Sequence, residues 1–237
     1  VISHHHRTIF VHIPKCGGQS VEQAFLDDLG LTWAQRAPLV LGRNLPGGAG
    51  PPRLAHLSAA DYTRHHFVTP EMWRDYFTFA VVRDPVARAM SLFNHLAPVA
   101  TLDAFVHDWL PEQFALAPAY EASKHGNPGK YHFVRPQTDF VTTAEGAILP
   151  DRIIRLEDLA TVWPEVQSNA RFAASLPHRN ASGSGVTTRD LSQRGVDAIA
   201  ALYQRDFETF GYDPGVRRPT TRMHPFRRVF TRLSRGS

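Results

Sequence analysis

An α/β fold, a single domain with a central parallel β-sheet flanked by helices, is predicted by three observations. Runs of apolar, β-branched and aromatic residues of strand length occur at residues 8–14 ("TIFVHIP"), 76–85 ("YFTFAVVRDP") and 152–159 ("RIIRLEDL"). Each leads into a segment whose apolar positions recur at helical spacing. Strands separated in this way by helices join a parallel sheet, whose two faces the helices must then cover.

The elements follow in order. The first strand stops at Pro14, and Gly17 and Gly18 turn the chain into a helix in which Val21, Ala24, Phe25 and Leu29 share one face. "LVLGRNLPGGAGPPR", residues 39–53, is rich in Gly and Pro and reads as a surface loop. In "LAHLSAADYTRHH" a short strand is expected to end near His56, with Ser58 placed to cap a helix from Ala59. Pro85 follows the second long strand and can open a helix in its first turn, where a missing N–H costs nothing. Val86, Met90, Phe93 and Ala97 lie on one face of that helix. A further helical pattern covers residues 102–110, residues 111–136 show no regular pattern, and residues 191–212 read as one long helix stopped by "GYDP".

A chain of 237 residues can bury one sizeable core, and 43% hydrophobic with 20% charged residues excludes a disordered or collagen-like class. No apolar run is long enough to span a bilayer, and the start lacks the long apolar segment of a secretory signal. The sequence begins at Val1 without Met, which leaves open a removed anchor or signal. Cys16, the one cysteine, excludes an intramolecular disulfide and a multi-cysteine zinc site and favours a reducing, cytoplasmic setting. His4, His5 and His6 read as solvated, and no metal site is expected.

The net charge of +4 is unevenly placed, because residues 216–237 hold seven Arg and no acid, leaving 19 basic and 22 acidic residues in the body. The sequence therefore divides into a domain, residues 1–215, and a basic tail or docking helix, residues 216–237. Phe226, Val229, Phe230 and Leu233 recur at helical spacing in that tail, which suits docking on the body as well as membrane contact. No nucleic-acid partner is expected.

The stretch "IFVHIPKCGGQSVEQAF" carries the chemistry. A glycine pair after a strand lets backbone N–H groups turn toward a ligand, and the helix that follows adds unpaired N–H donors with partial positive charge. Lys15 puts a full charge beside this cradle and Ser20 a hydroxyl, so an anion belongs there. The nucleoside triphosphatase loop places its lysine after the glycines, whereas Lys15 precedes them, which argues against a magnesium triphosphate. The second cue is "VVRDPVARAMSLFNHL". Arg83 ends a strand on the same rim, where it can grip a phosphate bidentately, and Ser91 can donate from the next helix. Cys16 at a helix N-terminus has the setting of a reactive thiol, but reads instead as a small loop residue that keeps the anion site clear. Glu157 and Asp158 read as helix-capping acids.

Taken together, these two stretches resemble the sulfotransferases that use 3′-phosphoadenosine 5′-phosphosulfate, specifically the carbohydrate and heparan sulfate 2-O-sulfotransferase branch. The resemblance also covers "LAHLSAADY", "RPQTDFV", "DRIIRLEDL" and the closing "NASGSGV" to "YQRDFETFGYD", from about Ile9 to Asp213. It implies a P-loop-like strand-loop-helix in which Lys15, Gly17, Gly18 and Ser20 hold the 5′ end, with main-chain help from Cys16 and Gln19. Arg83 and Ser91 would hold the 3′-phosphate. "PHRNASGSGVTTR" resembles a loop that closes over the nucleotide, which adds Arg179 and Ser184. His56, in "LAHLS", stands where these relatives place a catalytic histidine, and an ordinary pKa near 6.5 suits a base at neutral pH. The implied reaction is in-line transfer of a sulfuryl group to an acceptor hydroxyl, leaving adenosine 3′,5′-bisphosphate, with Lys15 neutralising the departing phosphate and no metal.

Read from the residues by themselves, two other classes stay open: a nucleotide kinase or related phosphotransferase, and a non-catalytic module that binds polyanions through the Arg-rich tail. Arg and His residues between Arg36 and His66 would admit an anionic glycan, and equally a small alcohol or a lipid headgroup.

Overall fold

The computed structural model describes residues 1–45, 48, 53–122, 129–177 and 185–216. Its centre is a four-stranded sheet in the order β1 (Ile2–Ser3), β2 (Thr8–Val11), β3 (Phe77–Val82) and β4 (Arg152–Arg155). β2, β3 and β4 run parallel, and β1 adds a short antiparallel edge that the sequence pattern had not suggested. Two residues are too few to show a period. β3 is central, and every residue from Thr78 to Val82 is buried. That is why it reads as a continuous apolar run rather than an alternating one. The register sets Val11 opposite Ala80 and Val82 opposite Arg155. Asp151 secures it, accepting from Thr78 N and Thr78 Oγ1 at 2.8 Å, while its own N–H donates to Thr78 Oγ1 at 2.8 Å.

Helices pack on this sheet as the pattern of apolar positions demands. α1 (Gly18–Asp28) buries Val21, Ala24, Phe25 and Leu26. α2 (Ala59–Arg64) begins at Ser58, whose N–H and hydroxyl both donate to Asp61 Oδ2, at 2.9 and 2.7 Å. α3 (Pro70–Asp75) leads into β3. α4 (Pro85–Leu96) opens with Pro85 and is capped by Asp84, whose carboxylate accepts from Ala87 N at 2.9 Å. Under the sheet the rings of Phe10 and Phe79 stack at 4.9 Å.

The structure corrects several expectations. Leu54–His56 is a turn of 3-10 helix, not a strand. The long C-terminal helix is two, Gln193–Leu202 and Gln204–Phe210. The break falls at Tyr203, whose buried hydroxyl donates to Val134 O at 2.7 Å. Residues 111–136 contain short helices, among them Tyr131–Val134. His6 is buried rather than solvated: its Nε2 lies 2.8 Å from Asp28 Oδ2, and its Nδ1 lies 2.6 Å from Ser3 Oγ. Of the basic tail, only Val216 lies among the described residues.

Candidate active site

The site is built at the C-terminal ends of β2 and β3. Beyond Val11 the chain leaves the ladder and turns twice through the left-handed region, at Lys15 (φ 67°) and Gly17 (φ 78°). For Lys15 that conformation costs about 1 kcal/mol, so its neighbours must hold it. Arg88, from α4, does so from below. It is 1% exposed and donates from Nε to Pro14 O at 3.1 Å, from Nη1 to Arg135 O at 3.0 Å and from Nη2 to Phe133 O at 2.8 Å. A buried guanidinium that spends its donors on main-chain oxygens is a structural pin. A strained residue held this firmly is a common mark of a functional turn.

The glycines answer two different needs. Gly17 supplies the positive φ. Gly18 has ordinary helical backbone but no room: a Cβ there would come within 2.1 Å of the His12 ring. The first turn of α1 therefore rests directly on an imidazole. No side chain caps this helix, and its first turn holds no acid. An N-terminus with these properties favours an anion.

Lys15 and Arg83 meet here. Arg83 Nη1 donates to Lys15 O at 3.3 Å, and both residues are half-buried. Burial, and then the charge of Arg83, pull the Lys15 pKa below its ordinary 10.5. Two cations held together this way suit an anionic ligand. Ser91 is half-buried on α4, one turn before His95, and His95 feels the charges of Lys15 and Arg53 after that of burial itself, all lowering its pKa. Ser20 is half-buried and Gln19 exposed on the first turn of α1. Arg179 and Ser184 lie outside the described residues, but the chain that follows them is tied to α4. Asn94 Nδ2 donates to Val186 O at 2.8 Å, and Val186 N donates to Asn94 Oδ1 at 3.1 Å.

Three histidines gather beside the loop. His12 Nδ1 lies 2.5 Å from Glu22 Oε1, and its ring centroid is 4.4 Å from that of His56. His132 lies 5.8 Å from His56, with Nδ1 3.0 Å from the Tyr120 hydroxyl. His56 Nδ1 contacts His12 O at 3.1 Å. Burial, followed by His12 and His132, holds the His56 pKa well below 6.5, so its ring is neutral at physiological pH.

Cys16 is buried and its thiol is pushed up to about 12, first by burial, which removes it from thiolate chemistry. Glu157 does not serve its own helix. Its Oε1 accepts from Asp84 N at 3.1 Å and its Oε2 from the Tyr212 hydroxyl at 2.9 Å. Asp158 occupies the cap position of Leu159–Ala170 without a side-chain bond. Sequence reasoning missed His12, Arg88, Gln137 and Asp206. All four lie in stretches that carry the resemblance, His12 in "HIPK", Arg88 in "VVRDPVARAMS", Gln137 in "RPQTDFV" and Asp206 in "YQRDFETFGYD", but nothing in those stretches marks their partners.

The family model for the sulfotransferase family matches residues 1–213. The chain belongs to the sulfotransferase family. No curated protein and no solved structure matches it. Membership makes this chain an enzyme of sulfuryl transfer and sets aside the phosphotransferase and non-catalytic readings; the family implies 3′-phosphoadenosine 5′-phosphosulfate as sulfate donor and adenosine 3′,5′-bisphosphate as product. The residues present in this sulfotransferase fit such a donor. An uncapped helix N-terminus beside two adjacent cations suits the anionic groups of that ligand. Among the described residues no cluster of His, Cys, Asp or Glu is arranged to hold a metal ion.

Proposed function

We propose that this sulfotransferase moves a sulfuryl group from 3′-phosphoadenosine 5′-phosphosulfate to a hydroxyl on a carbohydrate, with His56 as base and Lys15 stabilising the leaving phosphate. One observation carries the reading: Arg83 reaches Lys15 O at 3.3 Å, so the two cationic turns of neighbouring parallel strands occupy one place.

The donor supplies an activated sulfuryl group and a phosphate leaving group. Lys15 and the first N–H groups of α1 hold the negative charge where it collects as the S–O bond breaks. Gly17 supplies the left-handed turn and Gly18 seats the first turn of α1 on His12, which aims those N–H groups, with Cys16, Gln19 and Ser20 completing the turn. Arg83 and Ser91 take the 3′-phosphate, with Arg179 and Ser184 as further contacts. His56 Nε2 removes the hydroxyl proton as the acceptor oxygen bonds to sulfur, which orients the lone pair and avoids a free alkoxide.

The carbohydrate acceptor rests on the resemblance to the carbohydrate and heparan sulfate 2-O-sulfotransferase branch. It is supported by the polar, cationic surroundings of the histidine cluster. Arg53 is exposed, lies over the Phe133 ring at 5.6 Å, and Phe133 in turn contacts His56 at 6.2 Å. The exposed Arg53 offers a sugar hydrogen-bond donors beside the proposed base.

Thermal-shift titration tests the donor. Adenosine 3′,5′-bisphosphate should raise the melting temperature at lower concentration than AMP or ATP, because it engages both grips. An equal response to AMP would remove the donor assignment. Transfer of labelled sulfate to a panel of polysaccharides, small alcohols and lipid headgroups tests the acceptor, and label confined to the non-carbohydrate arms would overturn that part.

A further inference from the structure

Gln137 has no exposed surface, and it touches both halves of the site. Its Oε1 accepts from Arg83 N at 2.8 Å and from Cys16 Sγ at 3.1 Å. Its Nε2 donates to Arg83 O at 2.8 Å and to Asp206 Oδ2 at 3.3 Å. An amide side chain has two acceptor sites and two donors, and all four are used here. The orientation is forced, since a main-chain N–H can only donate and a main-chain oxygen can only accept. The amide thus clamps the backbone of Arg83 at the point where it leaves β3, and holds the thiol of the loop that leaves β2.

Gln137 is itself anchored. Asp206, 0% exposed on the helix Gln204–Phe210, accepts from Gln137 N at 2.8 Å through Oδ2. Its Oδ1 accepts from Thr138 N at 2.9 Å and Thr138 Oγ1 at 3.0 Å. The two sides of the clamp depend on it unequally. The loop has other tethers: Arg88 holds Pro14 O, and Cys16 N donates to Ile13 O at 3.4 Å. Arg83 sits beyond the last ladder residue, and Gln137 takes both of its main-chain groups.

We propose that Gln137 is a positioning residue that sets where Arg83 stands relative to the Lys15 turn, and so confers preference for a nucleotide with phosphate at both 3′ and 5′ positions over one with a 5′-phosphate alone. This rests on the donor site proposed above. Asp206 acts through Gln137 in the same role, and the Cys16 thiol ties the loop to it.

The test is calorimetric titration of the full chain with adenosine 3′,5′-bisphosphate and with AMP, for the parent, Gln137→Ala, Gln137→Met and Asp206→Asn. The Met variant keeps the length of the side chain in its packed slot, so the measurement does not depend on Gln137→Ala folding. Expected is a drop of about tenfold or more in the preference for the bisphosphate, equivalent to roughly 1.4 kcal/mol, with AMP affinity held within about threefold because the loop keeps its own tethers. A general loss of structure would weaken both nucleotides together. Variants that retain the parent's preference, or lose both affinities equally, overturn the proposal while leaving the donor site intact. A parent that binds AMP and the bisphosphate equally overturns the donor site, and the role of Gln137 with it.

Discussion

The imidazole of His56 donates from Nδ1 to the main-chain oxygen of His12 at 3.1 Å. A carbonyl oxygen has no proton to give, so Nδ1 carries the hydrogen and Nε2 is left with the lone pair. The tautomer needed for a base is thus set by the backbone of the residue that leads into the glycine turn. Because burial and the neighbouring histidines push the His56 pKa below 6.5, the ring is in its basic form above that lowered value and loses it only as pH falls through it. A profile of kcat/KM against pH should therefore place its acidic limb below pH 6.5. His56→Ala should remove that limb and lower the rate by about 10²- to 10⁴-fold. A limb at or above pH 6.5 would exclude His56 as the base.

Lys15 and Arg83 touch, yet their removal should read differently. Lys15→Ala should lower kcat by roughly 10²- to 10³-fold, as expected for the loss of a group that meets developing charge. Arg83→Ala should instead weaken donor binding by roughly 10- to 100-fold, the worth of charge-assisted hydrogen bonds to one phosphate. Steady-state kinetics on both variants separates the two effects, and a Lys15→Ala enzyme with the parent kcat would remove its assigned role.

The two glycines of the turn should differ in an order that backbone angles alone would reverse. Gly17 has the positive φ, but an added Cβ meets only the flexible end of Leu156, at 2.5 Å. Gly17→Ala should cost about 1 kcal/mol of stability. Gly18→Ala drives a methyl into the His12 ring, which is held by Glu22 and packed on His56. That collision should cost about 1–3 kcal/mol and disturb His56, the proposed base, as well. Urea melts together with activity assays check the order.

Cys16 should be chemically inert in the native enzyme. With its thiol pushed up to about 12 and donated to Gln137, alkylation by iodoacetamide at pH 8 should be negligible until the protein is unfolded in denaturant. Rapid native alkylation with loss of activity would show that the thiol is neither buried nor protonated.

Much of the scaffold was legible because its signals are local. β3 announces itself through a run of apolar and aromatic residues, and α4 through Pro85 and the spacing of Val86, Met90 and Phe93. The 3-10 turn at Leu54–His56 was not legible, since three residues carry no period and the apolar Leu54 and Ala55 fit either reading. Nor was the break at Tyr203, whose hydroxyl bonds to Val134, 69 residues away. Of the candidate site, Lys15, the glycines and Arg83 lie in motifs that can be read along the chain. Gln137 and Asp206 lie in the short blocks "RPQTDFV" and "YQRDFETFGYD", but act through partners 54 to 121 residues distant that no local pattern reveals.

The pairing of Val11 with Ala80 makes the backbone ladder a gauge for the whole site. The Lys15 turn begins four residues past one member of that pair, and Arg83 lies three past the other, so the ladder fixes where the two turns start and Gln137 then holds the backbone of Arg83. Slipping the strands by two residues would restore every side chain to its proper face and still carry one turn about 6.6 Å past the other. Insertions within β2 or β3 are therefore barred by geometry even where the core would accommodate them.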